Sequence, residues 1–337
     1  MSPILIIVTV LAGVAAFVAV LSLVFALFIR KKMFGYRFSH DPLVITYSPE
    51  KLGLESVPLE VELGGETVRG AIYSKCSEEK NSDVIVIVCH GMWSSHRSYM
   101  QDIGYICDAG YEVTGFDYIG TSLSDGKCLG GFGQSLRCLD AVVRYVKSSE
   151  ELSKRKIVVY GHSWGGYAAT NIVKFHPDIA AVIAVAPATS FEAVAKNMFP
   201  RAIHFILPAA KLTDRIRMGK FANQRADKSL EGYSGRVLII HSEDDPMCPY
   251  RSTTGIIKEK FTDDNFTYIS VADKGHNPHY TYAGLSLLRE YSKTVSSLKT
   301  DEEKRNYKKS TDFLAMGELD PDIMDGVVDE IKSVSDN

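Results

Sequence analysis

An apolar run, Val158-Val159-Tyr160, passes straight into Gly161-His162-Ser163-Trp164-Gly165 and from there into a helical pattern. This strand-turn-helix junction constrains the chain more than any other feature. A serine hydroxyl is a weak nucleophile until a base takes its proton, so it has to stand clear of the sheet on a sharp, strained turn. Glycines at 161 and 165 permit that turn where larger residues would collide with neighbouring backbone. The helix beginning near Trp164 points free N–H groups and the positive end of its dipole at the same place, where a transient oxyanion would be stabilised. Ser163 is therefore the candidate nucleophile.

The segments on either side supply an order. Upstream, Val84-Ile85-Val86-Ile87-Val88-Cys89 is a continuous apolar run of the buried-strand type and ends in His90-Gly91-Met92. A turn there can bring a second oxyanion donor, the backbone N–H of Met92, to complement that of Trp164. Downstream, Val237-Leu238-Ile239-Ile240-His241 leads into Ser242-Glu243-Asp244-Asp245, and Phe266-Thr267-Tyr268-Ile269-Ser270-Val271 ends at Asp273-Lys274-Gly275-His276. Serine, acid and histidine thus follow three strand ends in that order.

With these residues the chain resembles the α/β-hydrolase superfamily over roughly Val57 to Lys299, and within it the lysophospholipase and serine-aminopeptidase-like branch. The resemblance implies Ser163 as nucleophile, His276 as general base and Asp245 as the acid that orients it, with Met92 and Trp164 forming the oxyanion hole. Asp245 is selected because it lies four residues before Pro249; Asp244 and Glu243 stay open as alternatives, as does His279 for the histidine. Two departures bear on pocket shape: Ser122 stands where the family carries a second glycine, and Met247 and Cys248 replace smaller apolar residues beside the acid. No metal or organic cofactor is called for. His276 and His279 form H-x-x-H, but Pro278 lies between them and no third ligand matches. Gly130-Gly131-Phe132-Gly133 lacks the spacing and strand context of a nucleotide site.

The expected fold is α/β: a mostly parallel α/β-hydrolase sheet covered by helices on both faces, with a small helical cap, preceded by one transmembrane helix. Strands are expected near 84–89, 112–117, 156–161, 180–186, 236–241 and 265–271, after a hairpin of Val57–Leu63 and Val68–Ser74. Helices are expected near 97–108, 133–147, 164–175, 250–260 and 280–298. Residues 1–32 are read as anchor and basic flank, 33–55 as juxtamembrane linker, 56–299 as the hydrolase domain with its cap at about 191–234, and 300–337 as a charged C-terminal tail. That tail is expected to be a solvated or docking appendage, with a short amphipathic helix at Ile323–Ile331. The cap is strongly apolar around Met198–Pro208, which suits either a wall for a hydrophobic substrate or plain packing on the sheet edge.

From Ile4 to Ile29 there is no charged residue. At about 1.5 Å per residue this run exceeds a hydrocarbon core of roughly 30 Å. It lacks the basic start and short apolar stretch of a cleaved signal, and Arg30, Lys31 and Lys32 follow it, so the reading is a single-pass anchor in the cell membrane through residues 4–29, catalytic domain in the cytoplasm. The six cysteines, Cys76, Cys89, Cys107, Cys128, Cys138 and Cys248, show no zinc spacing and suit a reducing compartment; a Cys128–Cys138 bridge is the alternative. A net charge of −3 gives no attraction to nucleic acid. The function expected is a membrane-anchored serine hydrolase acting on carboxylic esters, small-molecule or acyl-lipid, through an acyl-enzyme. A serine peptidase or amidase on short peptides, needing acids such as Glu192 or Asp214 to face the serine, is one alternative. A non-catalytic binding protein that has kept the fold is the other.

Overall fold

Eight apolar or alternating segments pair into one sheet, seen in a computed structural model that describes residues 2–75 and 81–335. The strands are β1 (Leu54–Leu63), β2 (Glu66–Lys75), β3 (Asn81–Cys89), β4 (Tyr111–Phe116), β5 (Lys156–His162), β6 (Ala181–Val185), β7 (Arg236–Ser242) and β8 (Phe266–Val271). Their order across the sheet is β1-β2-β4-β3-β5-β6-β7-β8. β1 and β2 pair antiparallel, as do β2 and β4, and every later neighbour is parallel. The β1–β2 turn places both Gly64 and Gly65 at positive φ, 65° and 82°, the combination a two-residue type I′ turn requires. Consequently Leu63 faces Glu66 and Val61 faces Val68, in the register the alternation predicts.

The central strands are apolar on both sides because both faces are covered. On β3, Ile85, Ile87 and Cys89 turn to one core cluster and Val84, Val86 and Val88 to the other. In chain order the α-helices are α1 (Pro3–Phe34), α2 (Met100–Asp108), α3 (Gln134–Ser148), α4 (Trp164–Ile172), α5 (Phe191–Met198), α6 (Leu207–Met218), α7 (Ala226–Ser229), α8 (Thr254–Lys260), α9 (Tyr282–Ser297), α10 (Asp301–Ser310), α11 (Phe313–Met316) and α12 (Pro321–Ser335). Helices α3, α4 and α8 share the first cluster, while α2 and α12 share the second.

Of the two forms expected for the C-terminal segment, solvated or docking, most of it takes the second. Helix α9, directly after β8, buries only Gly284 and Leu285. The sheet face is covered instead by α12, longer than the expected Ile323–Ile331, through Ile323, Met324, Val327, Ile331 and Val334. These positions make a helical stripe, and burying each is worth about 1.5–3 kcal/mol. Polar ties fix the docking. Arg236 of β7 grips the buried Glu330 with Nε and Nη2, both at 2.9 Å, and Lys156 Nζ donates to the Val334 carbonyl at 2.9 Å. Only α10 resembles the expected solvated segment, with no buried residue and a capping box between Thr300 and Glu303.

Helix α1 presents most of its apolar side chains outward, and it is long and apolar enough to cross a membrane. Ser22, Ala26 and Phe34 are its buried residues. Its last turns rest on the segment inserted between β6 and β7, which comprises α5, a short 3-10 stretch Arg201–Ile206, α6, a 3-10 turn Gly219–Phe221 and α7; the contacts are with the Arg201–Ile206 stretch and α6. Beyond α1, Phe38 bridges to Thr121, and Arg37 donates to the carbonyls of Ser122 and Gly126, so the linker is tied to the body. Ser122, at the family's glycine position, takes the positive φ of 35° that a glycine would adopt freely. Cys89, Cys107, Cys128, Cys138 and Cys248 are free thiols, so Cys128 and Cys138 are not bridged; Cys76 lies outside the described residues.

Candidate active site

The turn between β5 and α4 holds Ser163 at φ 56° and ψ −113°, a conformation that non-glycine residues seldom adopt. It is over-determined by its neighbours. Ser163 N–H donates to the Val185 carbonyl at 2.9 Å, and its own carbonyl accepts from Ala188 and Tyr167 at 3.0 and 3.1 Å. A side chain at 161 would place Cβ 2.3 Å from the Gly165 carbonyl oxygen, and one at 165 would place it 2.0 Å from that of Cys89. Both glycines are thus demanded by close backbone approach.

His276, after β8, brings Nε2 to 2.8 Å from Ser163 Oγ and Nδ1 to 2.7 Å from Asp245 Oδ2. A carboxylate only accepts, so Nδ1 carries the proton and Nε2 is left bare toward the serine hydroxyl. Asp245 is buried at the end of β7 and receives three more donors: Met247 and Cys248 N–H on Oδ1, at 2.7 and 3.0 Å, and His241 Nε2 on Oδ2 at 3.0 Å. Burial pushes its carboxyl up, but the hydrogen bonds from His241 and His276 outweigh that and hold it well below the usual carboxylate range. Asp244 is turned away, accepting from Ser242 Oγ and from Gly275 N–H at 3.0 Å. His279 lies fully buried, its Nε2 3.6 Å from Asp102.

A second chain of hydrogen bonds runs behind this line. Gly91 N–H donates to Tyr99 Oη at 3.0 Å, Tyr99 O–H reaches His162 Nδ1 at 2.8 Å, and His162 Nε2 lies 2.9 Å from the His276 carbonyl oxygen. Since that carbonyl only accepts, Nε2 carries the His162 proton and Nδ1 takes the one from Tyr99. Burial, then the neighbouring His276, lowers the His162 pKa to about 3, so it is a neutral link. The chain joins the Gly91-Met92 turn to the backbone of His276. Nothing in the residue spacing announces it, because its members lie on three separate segments. His90 and Asp117, at the ends of β3 and β4, bind local groups: His90 Nδ1 meets the Gly91 carbonyl at 2.7 Å, and Asp117 accepts from His96 and Leu123 N–H at 2.9 and 3.0 Å.

Ser163 opens into a cavity of about 350 Å³ that Met92, Trp164 and His276 also line, with Phe132, Val194 and Met247 among its apolar walls. The N–H of Trp164 stands in the first turn of α4, where no intrahelical acceptor exists. No acidic side chain borders this cavity among the described residues. Glu192 is instead paired with Lys196 and Lys211 at 2.6 and 2.7 Å, and Asp214 is buried, accepting from Phe132 N–H at 3.0 Å. A larger cavity of about 650 Å³ lies beneath the linker, beside Tyr73, His96 and Arg97, and holds none of the three residues. Asp245, Cys248 and His276 place possible metal-donor atoms within 4.8 Å of one another. Burial pushes the Cys248 thiol up, away from the thiolate a metal would require, while His276 and Asp245 are already bonded to each other.

Comparison with known proteins bears on the fold. A model of the family described as serine aminopeptidase, S33, matches residues 80–225. Among curated proteins, the lysophosphatidylserine lipase ABHD12 of Danio rerio is 26% identical over 186 residues, 51% of this chain and 46% of that protein. The protein of the same name from Mus musculus is 26% identical over 234 residues, 63% of this chain and 56% of that one. The chain spans about half the length of the curated relatives it matches. Among solved structures, the Pyrococcus furiosus esterase Pf2001 superposes with a TM-score of 0.54 at 17% identity, covering 82% of this chain and 97% of that one. Est1E from Butyrivibrio proteoclasticus, with ferulic acid bound, gives 0.52 at 18% identity, covering 71% and 97%. The chain therefore has the α/β-hydrolase fold and resembles the lysophospholipase and serine-aminopeptidase-like branch of that superfamily.

Proposed function

We propose that this chain is a membrane-anchored serine hydrolase that cleaves carboxylic esters, of acyl-lipid type, through an acyl-enzyme on Ser163. The observation that carries the reading is the unbroken hydrogen-bond line from Ser163 Oγ through His276 to Asp245, opening into an apolar cavity. In this reading His276 Nε2 takes the hydroxyl proton as Ser163 Oγ attacks the ester carbonyl carbon. Asp245 holds the imidazole tautomer and stabilises the imidazolium, and the N–H groups of Met92 and Trp164 bind the oxyanion. Collapse of the tetrahedral species breaks the bond to the alkoxy oxygen, which leaves with the proton from His276. Water, activated by the same histidine, then attacks the acyl-enzyme and releases the acid.

The lipid part rests on three supports: the apolar walls of the cavity, the apolar helix α1, and relatives named lysophosphatidylserine lipase. Arg30, Lys31 and Lys32 at the end of the apolar run favour a cytoplasmic catalytic domain. The segment between β6 and β7 is proposed to act as the cap. A peptidase that binds a substrate ammonium would need a carboxylate facing Ser163, and the cavity offers none among the described residues. The test is turnover by the detergent-solubilised full chain on short-acyl esters, long-acyl esters and aminoacyl anilides, with Ser163→Ala as blank. Ester turnover lost in that variant is the expected result. Preference for anilides would move the assignment to a peptidase, and no turnover of any of the three would overturn it.

A further inference from the structure

The run Gly130-Gly131-Phe132-Gly133 has no part in the line from Ser163 to Asp245, yet it lies between the end of α1 and the residue after the nucleophile. On the α1 side, Leu129 N–H donates to the Tyr36 carbonyl at 3.2 Å and Gly130 N–H to the Phe34 carbonyl at 3.0 Å, while Arg30 Nη1 donates to the Gly130 carbonyl at 3.3 Å. On the other side, Trp164 Nε1–H donates to the Phe132 carbonyl at 2.7 Å. The run is seated on α6 as well. Phe132 N–H donates to Asp214 Oδ1 at 3.0 Å, and a side chain at 131 would place Cβ 2.4 Å from that oxygen, so a glycine there is what lets the loop come this close.

The end of α1 and Trp164 also touch directly. The buried Phe34 ring packs on the Trp164 indole with centroids 6.4 Å apart, and Tyr118 and Phe132 close the indole in at 5.1 and 6.2 Å. Trp164 is the first residue of α4, so the placement of its side chain and of its backbone N–H go together. Arg30 reads in the sequence as the first basic residue of a membrane flank. In the structure it is half-buried and turned to the loop, with its charge acting on Asp214. An arginine that served only as a flank would keep its guanidinium in the wet headgroup layer.

We infer that the inner end of α1 positions the oxyanion hole: Phe34 and Arg30 hold the Leu129–Gly133 loop and the Trp164 indole, and through them the Trp164 N–H beside Ser163. Both are positioning residues, since neither lines the Ser163 cavity. This inference rests on the ester-hydrolase reading above and adds that the membrane helix is a working part of the site as well as a tether. Turnover is then coupled to how α1 seats on the body. The coupling acts on one half of catalysis: substrate affinity, set by the cavity walls, is spared, and stabilisation of the oxyanion is not.

The test uses the detergent-solubilised full chain and a butanoyl ester, with kcat and KM measured separately at a temperature where each variant is folded. Phe34→Ala is expected to lower kcat about tenfold with KM within about twofold, the signature of a misplaced donor. Phe34→Leu, which refills the space, is expected to recover most of that loss. Arg30→Met keeps the apolar stem and loses the bond to Gly130, so it does not depend on repacking a core; a fall in kcat of about threefold is expected, restored by Arg30→Lys. Trp93 and Trp164 are the two tryptophans of the chain, so in a Trp93→Phe background the near-ultraviolet circular dichroism of the indole reports Trp164 alone, and it should weaken in Phe34→Ala. Absence of Ser163 labelling by a fluorophosphonate in the unaltered chain defeats the hydrolase reading itself. A labelled enzyme in which Phe34→Ala and Arg30→Met keep the unaltered kcat, raise KM instead, or lose kcat with the Trp164 signal unchanged overturns the positioning role alone.

Discussion

Asp102, on α2, is fully buried behind the candidate site and accepts a hydrogen bond from Tyr160 Oη at 2.7 Å. Burial raises its pKa from 3.8 to about 6, against the opposing effect of the Tyr160 bond. Well below pH 3.8 the carboxyl is neutral in both folded and unfolded chains. As the pH rises toward 6 the unfolded chain releases this proton while the folded one keeps it, so stability falls through that window and the full cost stands above it. Two pKa units correspond to about 3 kcal/mol at pH 7.5. Asp102→Asn keeps an acceptor for Tyr160 and removes the ionisation. For a chain of this length, about 3 kcal/mol is a rise in Tm of roughly 4 °C. Thermal unfolding of the two detergent-solubilised proteins at pH 7.5 and pH 4 measures it. The variant should melt higher at pH 7.5, and the gap should narrow to about a fifth at pH 4. A gap independent of pH, or a lower Tm for the variant at pH 7.5, would refute the burial argument.

Tyr99→Phe leaves both Gly91 N–H and His162 Nδ1 without their partner, so kcat on a short ester should fall roughly tenfold with KM little changed. An unchanged kcat would show that the Gly91-to-His276 chain positions nothing. Met324→Ala on α12 removes a side chain with no exposed surface and should cost about 2–5 kcal/mol, whereas Leu287→Ala on the exposed side of α9 should cost under about 0.5 kcal/mol. Equal losses in a denaturant or thermal scan would deny α12 its place in the core.

Much of the sheet is legible because each central strand, buried on both faces, reads as an unbroken apolar run that ends in chemistry-bearing residues. The β1–β2 register was equally accessible, since Gly64-Gly65 admits one turn type and the flanking alternation sets the pairing. The line Ser163–His276–Asp245 was within reach because its members sit at strand ends, where chain order maps onto space. What lay beyond the sequence depends on contacts between distant segments. In α12 the acids Asp322, Asp325, Asp329 and Glu330 dilute the apolar stripe, and one of them is buried only because Arg236 meets it from β7. Tyr99 and His162 look like ordinary helix-start and strand-end residues until the fold sets them 2.8 Å apart. The packing of Phe34 on Trp164 is hidden for the same reason, since an apolar helix read alone has no partner.

The most direct test is reaction of the full chain with a fluorophosphonate, followed by mass identification of the modified peptide. Modification of Ser163 alone is expected, abolished in His276→Ala and slowed by about a thousandfold or more in Asp245→Asn, with Asp244→Asn reacting at the normal rate. Modification at another residue, no reaction in a folded protein, or equal reactivity of Asp245→Asn would contradict the role given to the Ser163–His276–Asp245 line.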